Sequence, residues 1–346
     1  MYYFKQIEVE ELDSSPDQYC IIDVRTSAEF GKGSIRGSIN IPLFQAEERE
    51  RIGTIYKKNA QAARFLAMDI ISPKISKFVR RVYRYSQEKT PALVCWRGGM
   101  RSHAAVDLVQ LAGIDAVQVH GGYKRYRQYI YNLLKNYQLN SQVVVLKGKS
   151  GTGKTELLHH LRSRGYPVLD LEGLAGHRGS TFGGFEGEAP ATQKNFDSEL
   201  LAQLRDLEGN KYILVEGESK RIGNIYLPEF LFSAMRTAPI IVVDGSLEKR
   251  VERIVQDYVP KTHAGRINMY RALARLRHRL SKANFAKLKS CLDQEDYAGF
   301  VHLVLLEHYD ETYDHQLPGT EVLTTVNSDN IKRAAQTIGA LIDAKR

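Results

Sequence analysis

Eight residues, Gly148-Lys149-Ser150-Gly151-Thr152-Gly153-Lys154-Thr155, restrict the fold of this chain more than any other feature. They match G-x-x-x-x-G-K-[ST] and have the context that pattern needs. An apolar run at residues 143–146 precedes them, and Glu156-Leu157-Leu158-His159-His160-Leu161 continues as a helix that Gly165 ends. Strand, glycine-rich turn and helix in that order place the loop at the carboxyl edge of a parallel sheet. Its N–H groups can cradle the oxygens of a di- or triphosphate, with Lys154 neutralising charge and the Thr155 hydroxyl available to Mg²⁺. Further apolar runs at 168–171, 212–215 and 240–243 alternate with helical segments, which predicts a doubly wound parallel sheet. These strands end in acids: Asp170, Glu216 with Glu218 two residues on, and Asp244. None is the usual four apolar residues followed by an aspartate and a catalytic glutamate. Nothing therefore demands nucleotide hydrolysis, and a pyrophosphate-bearing substrate satisfies the same loop. Asp170, Glu216 and Glu218 are candidates to hold Mg²⁺ or orient a substrate. Helix caps and satisfied strand ends are the competing explanation.

The chain has 346 residues, enough for two domains. Polar residues at 138–142 mark the boundary, giving expected domains at 1–138 and 139–346. The first alternates short strands at 19–24, 91–95 and 116–119 with helices around 74–86 and 102–112, a second α/β pattern. Where its middle strand ends stands Cys95-Trp96-Arg97-Gly98-Gly99-Met100-Arg101-Ser102. A helix N-terminus and the cations Arg97 and Arg101 favour a thiolate there, the nucleophilic form. The two glycines let the loop curl so that its N–H groups converge on an anion. Cys20 and Cys291 read as structural. With three cysteines and no C-x-x-C pair, the chain is neither a disulfide scaffold nor a zinc finger.

Lys and Arg outnumber Asp and Glu by 49 to 40, and the excess is concentrated. Residues 261–290 hold nine basic residues (Lys261, Arg266, Arg271, Arg275, Arg277, Arg279, Lys282, Lys287, Lys289) and no acid. On one helix, Arg271, Arg275, His278, Arg279 and Lys282 would share a face opposite Leu273, Leu276 and Leu280. That pattern predicts a surface for a polyanion, with Arg266, Arg271, Arg275, Arg279 and Lys282 as candidate nucleic-acid contacts; a solvated cationic face is the alternative. Arg80-Arg81-Val82-Tyr83-Arg84 and Tyr123-Lys124-Arg125-Tyr126-Arg127 would extend it, their tyrosines stacking on bases or packing in the core. No apolar run approaches the ~20 residues that cross a bilayer. The start, MYYFKQIEVEEL, lacks the features of a signal peptide. A soluble cytoplasmic protein without a membrane partner is expected.

Residues 12–136 resemble the rhodanese, or sulfurtransferase, domain. The likeness rests on Ile22-Asp23-Val24-Arg25, Gly33-Ser34-Ile35-Arg36-Gly37-Ser38-Ile39-Asn40-Ile41-Pro42, the Cys95-to-Arg101 loop and Gly121-Gly122-Tyr123. Rhodanese loops carry sulfur or selenium on the cysteine as a persulfide or perselenide. Ser34 departs from the His of many members. The Cys-x5-Arg spacing also resembles cysteine phosphatases, although Val94 stands where those usually have His.

A rhodanese-like domain, then a P-loop domain of the NTPase-like parallel-sheet kind with a basic helical C-terminal part, is an unusual order. Over its full length the chain is similar to the tRNA 2-selenouridine synthase family. Beyond the two generic motifs, the likeness is carried by Leu169-Asp170-Leu171-Glu172-Gly173-Leu174-Ala175-Gly176-His177-Arg178-Gly179-Ser180, Phe182-Gly183-Gly184 and Val215-Glu216-Gly217-Glu218-Ser219-Lys220-Arg221-Ile222-Gly223. The resemblance implies a transferase acting on the wobble 2-thiouridine of tRNA. Geranyl diphosphate first S-geranylates the sulfur, and selenium from selenophosphate then replaces it. It implies Cys95 as selenium carrier, Arg97 and Arg101 on the anionic donor, and residues 148–155 on the diphosphate. His177 and Arg178 would contact diphosphate or tRNA, Mg²⁺ is a candidate cofactor, and the selenophosphate-producing enzyme is a candidate partner. Two alternatives stand beside it: an ATP-dependent small-molecule or RNA kinase with a rhodanese sulfur-donor domain, and a non-catalytic RNA-binding regulator.

Overall fold

Apolar strands alternate with helices along the whole chain, and they close two separate parallel sheets. The computed structural model describes residues 5–176, 190–258, 262–278, 280–309 and 320–344, without the side chains at 257, 258, 263, 264, 268, 272, 275, 308 and 309. It divides into two compact units, Met1–Asn136 with Asp197–Leu201, and Tyr137–Phe196 with Ala202–Arg346. No described helix is long and apolar enough to cross a membrane.

In the first unit the strands are β1 (Gln6–Ile7), β2 (Tyr19–Asp23), β3 (Ile39–Asn40), β4 (Thr90–Val94) and β5 (Val117–Val119). They lie in the order β1-β5-β4-β2-β3, every neighbouring pair parallel. The helices between them are α1 (Val9–Ser14), α2 (Ser27–Gly31), α3 (Ala46–Tyr56), α4 (Ala60–Ile71), α5 (Ile75–Ser86), α6 (Met100–Leu111) and α7 (Gly122–Lys135). Phe78 and Val82 of α5 and Val106 and Val109 of α6 pack with Ile22 and Leu93 of the sheet. This packing decides the fate of the basic-aromatic clusters. Tyr123 and Tyr126 on α7 are buried, at 1% and 5% exposure, and so cannot stack on a base. Tyr83, on the outer face of α5, is 65% exposed.

The second sheet contains β6 (Gln142–Lys147), β7 (Val168–Leu169), β8 (Tyr212–Glu216), β11 (Ile240–Asp244) and β12 (Val322–Asn327), in the parallel order β12-β11-β6-β8-β7. A small antiparallel pair, β9 (Arg221–Ile222) and β10 (Ile225–Tyr226), stands apart from it. Its helices are α8 (Lys154–Ser163), α9 (Leu171–Ala175), α10 (Gln193–Asp206), α11 (Glu229–Thr237), α12 (Leu247–Tyr258), α13 (His263–Leu276), α14 (Lys282–Asp293), α15 (Tyr297–Val304) and α16 (Ile331–Asp343). Central β6 is apolar without alternation because both faces are covered. Edge strand β12 escapes a reading by pattern, since its residues Val-Leu-Thr-Thr-Val-Asn are mostly half-buried or exposed.

The single basic helix expected over 261–290 is two helices. Helix α13 ends at Leu276, and α14 starts afresh at Lys282 behind Ser281, whose hydroxyl accepts from the Asn284 N–H at 3.1 Å. Leu273 and Leu276 are buried as expected, with Leu288, Leu292 and Phe300 in one helical cluster. Arg271 and Lys282 are exposed but belong to different helices. Acids absent from the segment are present in space. Glu295 pairs with Arg266 at 2.6 Å and Asp293 with Lys289 at 2.7 Å. Arg279 and the Arg275 side chain lie outside the described residues.

Candidate active sites: a cysteine loop and a phosphate loop

Strand β4 delivers Cys95 at its carboxyl end, and the chain turns through Gly98 (φ +64°) into α6. The thiol is drawn inward, with the residue 3% exposed. Its Sγ accepts from the Gly99 N–H at 3.2 Å and the Ser102 hydroxyl at 3.1 Å. The floor of the loop is the start of α7, where the Tyr123 N–H donates to Cys95 O at 2.9 Å. Only glycine fits that floor. Gly122 has φ +59°, and a Cβ there would stand 2.4 Å from both Cys95 O and Gly98 N. Gly122→Ala is therefore expected to cost roughly 2–4 kcal/mol, read as a drop of several degrees in Tm. An unchanged Tm would contradict this account of the loop.

The two arginines expected at the loop differ in freedom. Arg97 is exposed. Arg101 is clamped by Glu29 through Nη1–Oε2 at 2.7 Å and Nη2–Oε1 at 3.0 Å. Burial would raise the Glu29 pKa, but the hydrogen bonds and charge of Arg101 outweigh it and hold it down at about 2. The same carboxylate closes a capping box with Thr26 on α2. Arg101 is close enough to interact with a charge at Cys95, but Glu29 largely balances its own. Asp23 and Arg25, part of the rhodanese-like signature, form a buried pair at 2.6 Å, and Arg25 also donates to Gly33 O at 2.8 Å. Their role is to pin the end of β2.

The phosphate loop leaves the carboxyl end of β6. A Cβ on Gly148 would lie 2.2 Å from Val243 O on β11, so the loop can pass that strand only as glycine. Arg250 of α12, 4% exposed, braces the loop by donating to Ser150 O at 2.8 Å. Thr152 is buried and its hydroxyl donates to Lys149 O at 2.9 Å. The Lys154 ammonium folds back onto the loop, 2.7 Å from Gly148 O and 3.3 Å from Lys149 O. Burial lowers its pKa, opposed by the charges of Glu172, Glu218 and Glu216.

Those glutamates define the loop's surroundings. The Thr155 hydroxyl donates to Glu172 Oε2 at 3.2 Å, and the Glu172 N–H donates to Glu216 Oε1 at 2.6 Å. Glu216 is 1% exposed, and among the described residues its Oε2 has no hydrogen-bond partner. Burial, then the Asp170 charge, pushes Glu216 up to about 8; burial and Glu172 raise Glu218. Thr155 and Glu172 suit a hard divalent cation carried with a diphosphate. Among the described residues no three acidic, His or Cys side chains are placed to hold a metal by themselves. Asp170 takes the capping option: it accepts from the Gly173 N–H at 2.7 Å to start α9, and it pairs with His159 at 2.8 Å. His177 and Arg178 lie outside the described residues.

Glu216 yields a stability prediction. With its folded pKa at about 8 and an ordinary value of 4.5, the native chain keeps a proton that the unfolded chain loses. Stability attributable to this group therefore falls as pH rises from about 4.5 to about 8. Glu216→Gln removes the ionisation. The variant is expected to gain on wild type through that window, reaching about 3–5 °C in Tm at its upper end. Parallel Tm curves against pH would rule this out.

Residues 141–340 match the family model described as the tRNA 2-selenouridine synthase AAA domain, and residues 8–129 match the rhodanese-like domain. The tRNA 2-selenouridine synthase of Shewanella frigidimarina is 33% identical over 86% of this chain and 88% of its own length. The chain belongs to the tRNA 2-selenouridine synthase family. The synthases of Nitrosomonas eutropha and Nitrosomonas europaea are 38% and 37% identical, each over 72% of this chain. The chain spans just under two thirds, 66%, of the length of those two relatives. Its architecture is that of the family, a rhodanese-like domain followed by a P-loop-type α/β domain. Within it, sequence reasoning passed over Glu172, Arg250, Ser102 and Glu29. Only Ser102 and Glu172 had a signal, since they stand inside the quoted cysteine-loop and 169–180 blocks.

Proposed function

We propose that this chain modifies tRNA, converting wobble 2-thiouridine to 2-selenouridine in two steps. The observation that carries the reading is the presence in one chain of both a Cys95 thiol met by two hydrogen-bond donors and a phosphate loop with Glu172, Glu216 and Glu218 nearby, in a family named for this product. In the first step the thiouridine sulfur attacks C1 of geranyl diphosphate. A sulfur–carbon bond forms, the carbon–oxygen bond breaks, and diphosphate leaves into the loop of residues 148–155. Lys154 and the loop N–H groups meet the charge that grows on the leaving oxygen. Thr155 and Glu172 would hold Mg²⁺, with Glu216 and Glu218 behind them. In the second step the selenium of selenophosphate, held at Cys95, attacks C2 of the base. A carbon–selenium bond forms, the carbon–sulfur bond breaks and geranyl thiolate leaves. Water then cleaves the phosphorus–selenium bond to release phosphate. Alkylation makes the sulfur a competent leaving group, which the bare thiocarbonyl is not.

Arg97, exposed on the loop, and Arg101, fixed by Glu29, favour the anionic selenium donor. Arg266, Arg271, Arg275, Arg279 and Lys282 supply contacts to tRNA phosphates. The enzyme making selenophosphate is the natural upstream partner, and the cytoplasm the place where both meet tRNA. Nucleoside mass spectrometry tests the reading. tRNA carrying 2-thiouridine, incubated with the chain, geranyl diphosphate and selenophosphate, is expected to yield selenouridine through a geranylated intermediate. Unchanged nucleoside under reducing conditions, together with Lys154-dependent ATP turnover, would move the assignment to a kinase.

A further inference from the structure

Gln118 on β5 is 1% exposed and has no place in either step above. A buried glutamine must satisfy both ends of its amide, and the partners here impose a direction. Nε2 stands 3.0 Å from Gly98 O, 3.2 Å from Gly99 O and 2.8 Å from Ser102 Oγ. Carbonyl oxygens only accept, so the NH₂ end must face the cysteine loop. Turning the amide over would set Oε1 against two carbonyls. At the other end Oε1 accepts from Gln6 Nε2 at 2.7 Å, an encounter fixed by the β1–β5 register that pairs Gln6 with Gln118.

With the amide so directed, Ser102 Oγ is the acceptor of a Gln118 N–H. Its own hydrogen then has two acceptors within reach, Cys95 Sγ at 3.1 Å and Gly99 O at 3.2 Å. Gly99 O already receives Gln118 and the His103 N–H of α6. Once the sulfur is anionic, the charge-assisted bond to it is the stronger of the two.

We infer that Gln118 is a positioning residue for Cys95. By donating to Ser102 Oγ it aims the Ser102 hydroxyl at the sulfur, so that an anion there meets two donors, this hydroxyl and the Gly99 N–H. The inference deepens the role given to Cys95 and rests on it only for the identity of the anion. The polarity running from Gln6 through Gln118 and Ser102 to Cys95 holds for a bare thiolate as well. Among the described residues the other charges around the sulfur are Arg101 with its partner Glu29, Asp23 paired with Arg25, and Arg97 exposed on the loop itself. The variants below leave all of them in place.

The test is a titration of Cys95 followed by ¹³C NMR of protein labelled at the cysteine Cβ, with Cys95→Ala identifying the signal. Wild type, Ser102→Ala, Gln118→Met and the double variant are compared, with Gln118→Asn as substitute should Gln118→Met not fold. Ser102→Ala is expected to raise the apparent Cys95 pKa by about one unit, roughly a tenfold loss of thiolate below it. Gln118→Met is expected to give part of that shift. The double variant should shift no further than Ser102→Ala alone, because Gln118 acts through the hydroxyl. An unmoved Cys95 titration in Ser102→Ala or in the Gln118 variant overturns the inference, as does a Gln118 shift that adds in full to that of Ser102→Ala. A loss of Tm with an unmoved titration assigns Gln118 to packing alone and also overturns it. No selenium or tRNA enters the titration, so its failure is distinct from failure of the selenation assay.

Discussion

With geranyl diphosphate and selenophosphate both supplied, Cys95→Ala is expected to accumulate S-geranylated nucleoside on tRNA and to make no selenouridine. The substitution removes the sulfur that the Gly99 N–H and the Ser102 hydroxyl both address, while adding no volume to a site 3% exposed. A small side chain in a buried loop leaves the rhodanese-like core, with Leu93, Val106 and Phe78, as it was. On the proposed route geranyl transfer draws only on the phosphate loop, which belongs to the other sheet and its own core. The block should therefore fall between the two steps, with the geranylated species rising as selenouridine disappears. Nucleoside mass spectrometry reads both at once. Selenouridine formed by Cys95→Ala at the wild-type rate would remove Cys95 from the reaction.

Lys154→Ala is expected to lower geranyl transfer by about a hundredfold or more, the usual cost of deleting a cation that meets developing charge. The lysine sits on the loop carbonyls of Gly148 and Lys149, bonds that a diphosphate would replace with stronger, charge-assisted ones. Burial already lowers its pKa, so the charge is poorly solvated and gains most from an anion. The measurement is the initial rate of S-geranylation, with binding of geranyl diphosphate followed in parallel by calorimetry. Selenation of tRNA geranylated beforehand should survive the substitution. An unchanged affinity for geranyl diphosphate in Lys154→Ala would place the diphosphate elsewhere.

Much of this architecture was legible in the chain because its signals are local. Strands β2, β4, β6, β8 and β11 are contiguous apolar runs, and each lies within a residue or two of its expected place. Both loops are single stretches in which glycines, a cation or a thiol, and a following helix declare themselves within ten residues. The basic segment misled for the opposite reason. A count of charge over 261–290 is one-dimensional, and Ser281, a helix cap in plain view, cuts the segment in two. Asp170 shows the same limit on a smaller scale, since an acid ending a strand and an acid capping the next helix are the same letter in the same place.

By itself the sequence determined where the two chemical loops lie and that each follows a strand of a parallel sheet. These follow from backbone sterics, apolar burial and motifs within a few turns of one residue. Tertiary structure decided which charges are free to act. Glu29 reaches Arg101 across 72 positions, Glu216 reaches the Glu172 backbone across 44, and Glu295 takes Arg266 across 29. Strand register set Gln6 beside Gln118 across 112 positions and so gave the cysteine loop its hydrogen-bond direction. Partners of this kind are chosen by packing between distant segments, and a long-range pair leaves no periodicity or spacing in the chain from which to read it.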